Sequence, residues 1–313
     1  MNNTAKHYRQ AQNSALIVRR SQPDALLATG PDRLDLLQRM STNQVGDIVA
    51  GQARMTVLTN AIGRLIDAIT VVESGDSALL VTSPGEGQHV LDWLRDYIFF
   101  KDDVALDLVD IPLFTWGIYG PETKDRLDQL GAGPGTFSVE SGQDLRAVWP
   151  VEKPVPGWEL LLGGASAGEA ERIWPDALQP SARAAYEALR IEAGLPRPGH
   201  EYAPEMTPLE GGLGFAVHAE KGCYIGQEVI ARMLSRDQVP RRVLGVNLEG
   251  AAVVGESLYV DDDQVGELTS AAESPVRGWI GLARVDKSTQ STNVRVWLPE
   301  SRIHGTLRHL PFD

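Results

Sequence analysis

Cysteine is almost absent from this chain: of its 313 residues, only Cys223 carries a thiol. Intramolecular disulfides are therefore excluded, as is a metal site built from several thiolates of one chain. The composition fits a reducing compartment. Positive charge is also scarce. Twenty-nine Lys plus Arg face 42 Asp plus Glu, a formal net charge of −13. A surface of that sign repels a polyphosphate backbone, so no direct nucleic-acid partner is expected. Long apolar runs are missing too. No segment approaches the ~20 apolar residues of a membrane span, so no membrane association is expected. Within the first twenty residues only Ala15–Val18 is apolar, shorter than the core of a secretory signal. A cytoplasmic location follows as the default expectation.

What is present reads as more than one domain, since roughly 100–200 residues make one. The first part alternates strand and helix patterns. Met55–Thr59, Leu65–Val72, Ser77–Val81, Val104–Val109, Phe114–Tyr119 and Trp158–Leu162 read as strands. Gly30-Pro31 suits a helix entry, and Pro121 opens another helix. Ser83, Pro84 and Glu86 read as the capped start of a helix whose Val90, Trp93, Leu94 and Tyr97 share one face. Ser166 with Glu169 reads as a second capping box, and Ser181–Ala193 as a helix ended by Gly194 and Pro196. The glycine-rich stretch Gly131–Gly135 lacks the Lys-Ser/Thr of a phosphate-binding loop and reads as a plain connection. Ser235–Arg242 reads as a polar linker. Beyond it, six short strand candidates (243–246, 257–260, 266–270, 280–285, 294–298 and 303–310) follow one another with no helix signal. That spacing predicts a small antiparallel barrel.

The most informative run is Lys221-Gly222-Cys223-Tyr224-Ile225-Gly226-Gln227-Glu228. It sets the lone thiol between glycines, just before a helix expected to begin near Gly226 or Gln227. Backbone N–H groups there favour an anion. Lys221 and Arg232 add positive charge, whereas Glu220 and Glu228 oppose it. By composition alone, a single cysteine is more often a small buried hydrophobe. His200, His218, Glu201 and Cys223 lack metal-ligand spacing, so no metal site is expected.

This octapeptide resembles the signature of the YgfZ-type folate-binding proteins, relatives of the aminomethyltransferase (T-protein) of the glycine cleavage system. The resemblance extends along the chain. Gly30–Arg33 with Thr42-Asn43-Gln44-Val45 is similar to the family's opening helix and turn, and Thr59–Asp67 to its folate-facing hairpin. Arg190–Pro196, Glu201 and Thr207–Glu210 resemble the segment leading to the cysteine motif, and Thr269-Ser270 with Ser274-Pro275 a turn of the barrel. The resemblance implies an α+β, three-lobed cloverleaf around tetrahydrofolate, with residues 1–240 forming a folate-binding α/β part of two lobes and 241–313 the C-terminal antiparallel β-barrel.

The resemblance also implies site residues. Gly157-Trp158-Glu159 matches the T-protein's Gly-aromatic-Glu, whose carboxylate accepts two parallel hydrogen bonds from the pterin. Asp67 matches one of an acidic pair that assists attack by the folate nitrogen, although Ala68 stands in the paired place. Trp158, Lys221, Tyr224 and Arg232 are carried as further ligand contacts, and Arg190, Arg232 and Arg241 all remain candidates for the folate tail. The implied function is a tetrahydrofolate-binding accessory protein. In it Cys223 serves iron–sulfur assembly or repair in client enzymes, tRNA-modifying ones included. One thiol cannot hold a cluster alone, so iron–sulfur client or assembly proteins are the implied partners. The alternative is a folate-dependent aminomethyl or one-carbon transferase working through Asp67.

Overall fold

Strands rich in Leu, Val, Ile and Thr sort into three sheets. A computed structural model describes residues 3–133, 135–140, 144–289 and 291–312. In chain order, helix α1 (Asn3–Asn13) is followed by β1 (Leu16–Arg19), β2 (Ala25–Thr29), α2 (Arg33–Met40), β3 (Ala53–Thr59), β4 (Leu65–Glu73) and β5 (Ser77–Val81). Then come α3 (Gly87–Arg95), β6 (Ala105–Leu108), β7 (Leu113–Tyr119), α4 (Thr123–Gln129), β8 (Phe137–Glu140), β9 (Asp144–Val151) and β10 (Gly157–Gly163). Helices α5 (Gly164–Ile173), α6 (Pro180–Glu192) and α7 (Gln227–Ser235) precede the last six strands. These are β11 (Arg241–Leu248), β12 (Ser257–Val260), β13 (Asp263–Ser274), β14 (Gly278–Asp286), β15 (Arg295–Leu298) and β16 (Ile303–Arg308).

The first sheet has the order β3-β4-β5-β2-β6 and the second β1-β7-β10-β9-β8. Each covers one face with helices. Leu36, Leu37 and Met40 of α2 and Val90, Leu91 and Leu94 of α3 bury against the first sheet. Ala167 and Ala170 of α5 bury with Trp116, Val148 and Leu160 of the second. The uncovered faces meet through Ala25, Val72, Leu79 and Val81 on one side and Leu113, Leu145, Trp149 and Leu161 on the other. Strand β1 precedes the first sheet in sequence but pairs with β7 of the second, Leu16 opposite Tyr119. Helix α1 packs on α6 through Tyr8, Ala11, Ala182 and Ala185.

The last six strands close into an antiparallel barrel of order β11-β14-β13-β12-β15-β16, completed by β11 pairing with β16. Val246, Leu258, Leu268, Val285, Val296 and Leu307 fill it, and Ile191 of α6 docks against Ile280 and Leu282 outside. The α+β architecture with a C-terminal antiparallel barrel therefore matches the expectation from the sequence. Among the described residues, no helix is long and apolar enough to cross a membrane.

Two helices start later or earlier than their capping patterns predict. Helix α3 starts at Gly87 rather than at Pro84, because the Ser83 hydroxyl is committed elsewhere: it donates to Asp67 Oδ1 at 2.6 Å. Helix α5 starts at Gly164, so Ser166 lies inside its first turn. The Ser166 hydroxyl donates to Asp144 Oδ2 at 2.8 Å and accepts from Arg146, instead of capping. In the glycine-rich stretch Pro134 lies outside the described residues. The Thr136 hydroxyl accepts from Gly133 N–H at 2.8 Å, which marks a local turn.

Candidate functional site

Between the two sheets and the segment that follows α6 lies a cavity of about 710 Å³, within the range of small-molecule sites. Glu159 enters it from β10. Its neighbour across the sheet is Gly117 of β7, and a Cβ on Gly117 would lie 2.4 Å from the Tyr119 hydroxyl. The glycine thus makes room for the Tyr119 ring. The Tyr119 hydroxyl donates to Glu159 Oε1 at 3.3 Å. Arg20, just after β1, pairs with the same Oε1 and donates to Tyr119 Oη at 2.8 Å. Its guanidinium sits 5.0 Å over the Tyr186 ring, and Tyr186 stacks on Tyr119 at 5.5 Å. Burial works against the Arg20 charge, but Glu159 and then Tyr119 hold it, and its pKa ends well above the usual value. Nothing local in the sequence marks Arg20; the signal present is the strand glycine two residues before Tyr119.

Among the described residues the cavity lining carries five Arg or Lys and three Glu, an excess of positive charge in a chain of net −13. Of the three arginines considered for a ligand tail, Arg190 lines the cavity but is spent internally. It pairs with Glu187, with Glu201 at 3.2 Å and with the Ser270 hydroxyl at 2.6 Å. Arg232 forms an exposed pair with Glu228 at 2.6 Å, and Arg241 one with Asp286 at 3.0 Å; neither lines the cavity. Lys153 and Arg183 do line it, and neither has an ion-pair partner among the described residues. Trp158 points to the other face of its sheet and packs against the second core, so it differs from its expected role.

A second cavity, about 360 Å³, shares Pro84, Pro198 and Tyr202 with the first. Its acid is Asp67, on β4 and 4% exposed. Asp67 Oδ1 accepts from the Ser83 hydroxyl at 2.6 Å and from Ala68 N–H at 2.8 Å, and Oδ2 accepts from Ser83 N–H at 2.8 Å. Burial raises its carboxyl to about 6, against the pull of those three hydrogen bonds. Tyr202 beside it is raised as well, by burial and then by the Asp67 charge. Among the described residues Glu86 is the other acid of this lining, and none of its residues is basic. Asp67 and Glu159 thus face adjoining spaces.

The cysteine motif lies apart from both cavities. Cys223 is exposed. Gly226 has φ +83°, and a Cβ there would meet Asn60 O at 2.6 Å. The motif's last glycine is therefore required by contact with the β3–β4 hairpin, where the Thr59 hydroxyl donates to Ile225 O at 2.6 Å. Lys221 is buried, and its ammonium donates to the carbonyls of Gln38, Ser41 and Asn43 at 2.7, 2.5 and 2.7 Å. These cluster at the C-terminus of α2, where carbonyls lack helical partners. The expectation of a ligand contact gives way to a helix cap from far along the sequence that uses all three donors. Tyr224 is nearly buried, with the Lys221 ammonium 5.3 Å from its ring centre. His200 bonds Thr269 O at 3.0 Å and His218 bonds Glu220 N–H at 3.2 Å. Among the described residues, no group of His, Cys, Asp and Glu could hold a metal ion.

Two helix-covered sheets and a closed barrel define the aminomethyltransferase class of fold. The glycine cleavage system aminomethyltransferase T of Bartonella henselae superposes with a TM-score of 0.79 over 99% of this chain and 89% of that one, at 20% identity. Residues 1–136 match the GCVT N-terminal domain and residues 241–313 the glycine cleavage T-protein C-terminal barrel domain. An aminomethyltransferase of Streptomyces avermitilis is 30% identical over 83% of this chain and 75% of its own length. A putative chloroplastic transferase of Arabidopsis thaliana is 28% identical over 96% and 72%. The chain belongs to the glycine cleavage T-protein family.

Proposed function

We propose that this family member is a tetrahydrofolate-binding accessory protein of the YgfZ type, whose Cys223 serves iron–sulfur cluster assembly or repair in client enzymes, tRNA-modifying ones included. The observation that carries the reading is an exposed thiol in a loop fixed at both ends: by Lys221 on the α2 terminus and by Gly226 on the hairpin. A thiol meant to meet a partner's cluster or persulfide must be both reachable and held in place. Folate binding is supported by the first cavity. Its volume suits a folate, Glu159 Oε2 has no partner among the described residues, and the surplus of basic side chains suits the tail carboxylates. Tetrahydrofolate would supply a one-carbon carrier; Glu159 would accept from its pterin donors.

One observation favours the transferase reading instead. Asp67, raised to about 6 by burial, lines the adjoining cavity and is placed to hold or release a proton near neutrality. One measurement tests the folate binding common to both readings, and a second separates them. Calorimetry should give tetrahydrofolate binding that weakens about 5- to 150-fold in Glu159→Gln, since a donor then replaces an acceptor and Arg20 loses its charge partner. In cells lacking the protein, Cys223→Ser should fail to restore iron–sulfur enzyme activity while Asp67→Asn succeeds. The reverse pattern, with ammonia released from an aminomethyl donor, makes the protein a transferase.

A further inference from the structure

Glu159 uses only part of its hydrogen-bonding capacity. Arg20 Nη1 and the Tyr119 hydroxyl both donate to Oε1, whereas Oε2 has no partner among the described residues. Arg20 is in the matching position. Its Nη1 serves Glu159 and Tyr119, while Nη2 and Nε donate to nothing among the described residues. Both side chains line the 710 Å³ cavity, and both keep a window of exposure, 21% for Arg20 and 16% for Glu159. Neither is free to swing. The guanidinium is stacked on Tyr186, which is itself stacked on Tyr119. A carboxylate only accepts and a guanidinium only donates. This single-point ion pair therefore offers the cavity an acceptor beside a donor.

That edge complements a cyclic amide, in which a ring N–H lies beside a C=O. We propose that Arg20 is a specificity-determining residue that, together with Glu159, reads the lactam edge of the pterin and selects 4-oxo over 4-amino pterins. Glu159 Oε2 accepts from the ring N3–H, and Arg20 donates to the C4 carbonyl. In a 4-amino pterin N3 carries no hydrogen and the carbonyl is replaced by an amino donor. Acceptor then faces acceptor and donor faces donor, leaving two unpaired groups in a confined wall. The inference rests on the folate reading and adds to it which substituent at C4 of the ring the cavity accepts.

The test is calorimetric titration of the full chain with tetrahydrofolate and with its 4-amino counterpart, tetrahydroaminopterin. Wild type should prefer the 4-oxo ligand by about tenfold or more. Arg20→Met should bring the two affinities within about twofold, and Arg20→Lys, which keeps one charged donor, should restore part of the preference. A structural role alone would weaken both ligands together and leave their ratio intact. Equal wild-type affinities overturn the inference and leave folate binding standing, as does an undiminished preference in Arg20→Met. A wild type that binds neither ligand overturns the folate reading and the inference with it. Should Arg20→Met not fold, Arg20→Lys and the wild-type ratio still decide.

Discussion

Lys221→Met tests whether the cysteine loop owes its position to a helix end. The wild-type ammonium is 6% exposed and gives three hydrogen bonds to carbonyls at the α2 terminus. Bonds from a charged donor contribute about 1.5 kcal/mol each at the low end, so roughly 4–5 kcal/mol is lost on substitution. Methionine, however, needs no desolvation. Burial pushes the Lys221 ammonium from 10.5 down to about 8, a penalty of about 3 kcal/mol on the charged form that the variant escapes. The carbonyls left behind add about 1–3 kcal/mol where water does not reach them. The balance is a loss of about 2–4 kcal/mol. Urea unfolding of both proteins at pH 7 measures it, with tetrahydrofolate affinity as the control, since Lys221 lines neither cavity. A change below about 0.5 kcal/mol refutes the cap. Unchanged stability with sharply weakened binding would instead put Lys221 in the ligand site.

Asp67 makes stability depend on pH in an unusual direction. Its folded pKa of about 6 exceeds the unfolded 3.8, so between those values the folded state binds more protons and stability falls as pH rises, by up to about 3 kcal/mol. Asp67→Asn should lack that slope; wild-type and variant urea midpoints that run parallel from pH 4 to 6.5 would refute it. Gly226→Ala combines a left-handed φ with a Cβ at 2.6 Å from Asn60 O and 2.9 Å from Thr59 Oγ1, and should destabilise by about 3 kcal/mol. Gly222→Ala has open space around its Cβ and should stay within about 0.5 kcal/mol; equal unfolding midpoints for the two variants would contradict the hairpin contact.

The parts of the fold that were legible in the sequence are those whose apolar pattern is local. The six barrel strands all surface as short runs between turn residues, and α6 shows its Ala182, Ala185 and Leu189 face directly. Helix α1 does not, because its core-facing residues are His7, Tyr8 and Ala11 amid polar neighbours. Strands β1, β2, β8 and β9 also escape notice. Leu16–Arg19 is only four residues long and finds its partner in β7, far along the chain. At the site, Asp67, Glu159 and Cys223 can be named from sequence, but their partners cannot. Arg20 meets Glu159, Ser83 meets Asp67 and Lys221 meets α2 only once distant segments close. A serine before a proline carries the same local signal whether it caps a helix or serves a buried carboxylate. Motif lysines are equally ambiguous: spacing gives their order, and only the fold gives the direction of the side chain.

The pairing of β1 with β7 also bears on how the polypeptide is made. Leu16 must wait for Tyr119, which at 5–20 residues per second means on the order of 5–20 s with a strand synthesised but unpartnered. During that interval the first sheet can complete itself through β6, since all five of its strands precede β7. The second sheet cannot complete until β10 emerges, and the matched N-terminal segment, residues 1–136, stops between β7 and β8. The unit of sequence kinship is therefore not a unit of assembly: cut at residue 136, the chain would carry β7 with one edge paired to β1 and the other open to any passing strand.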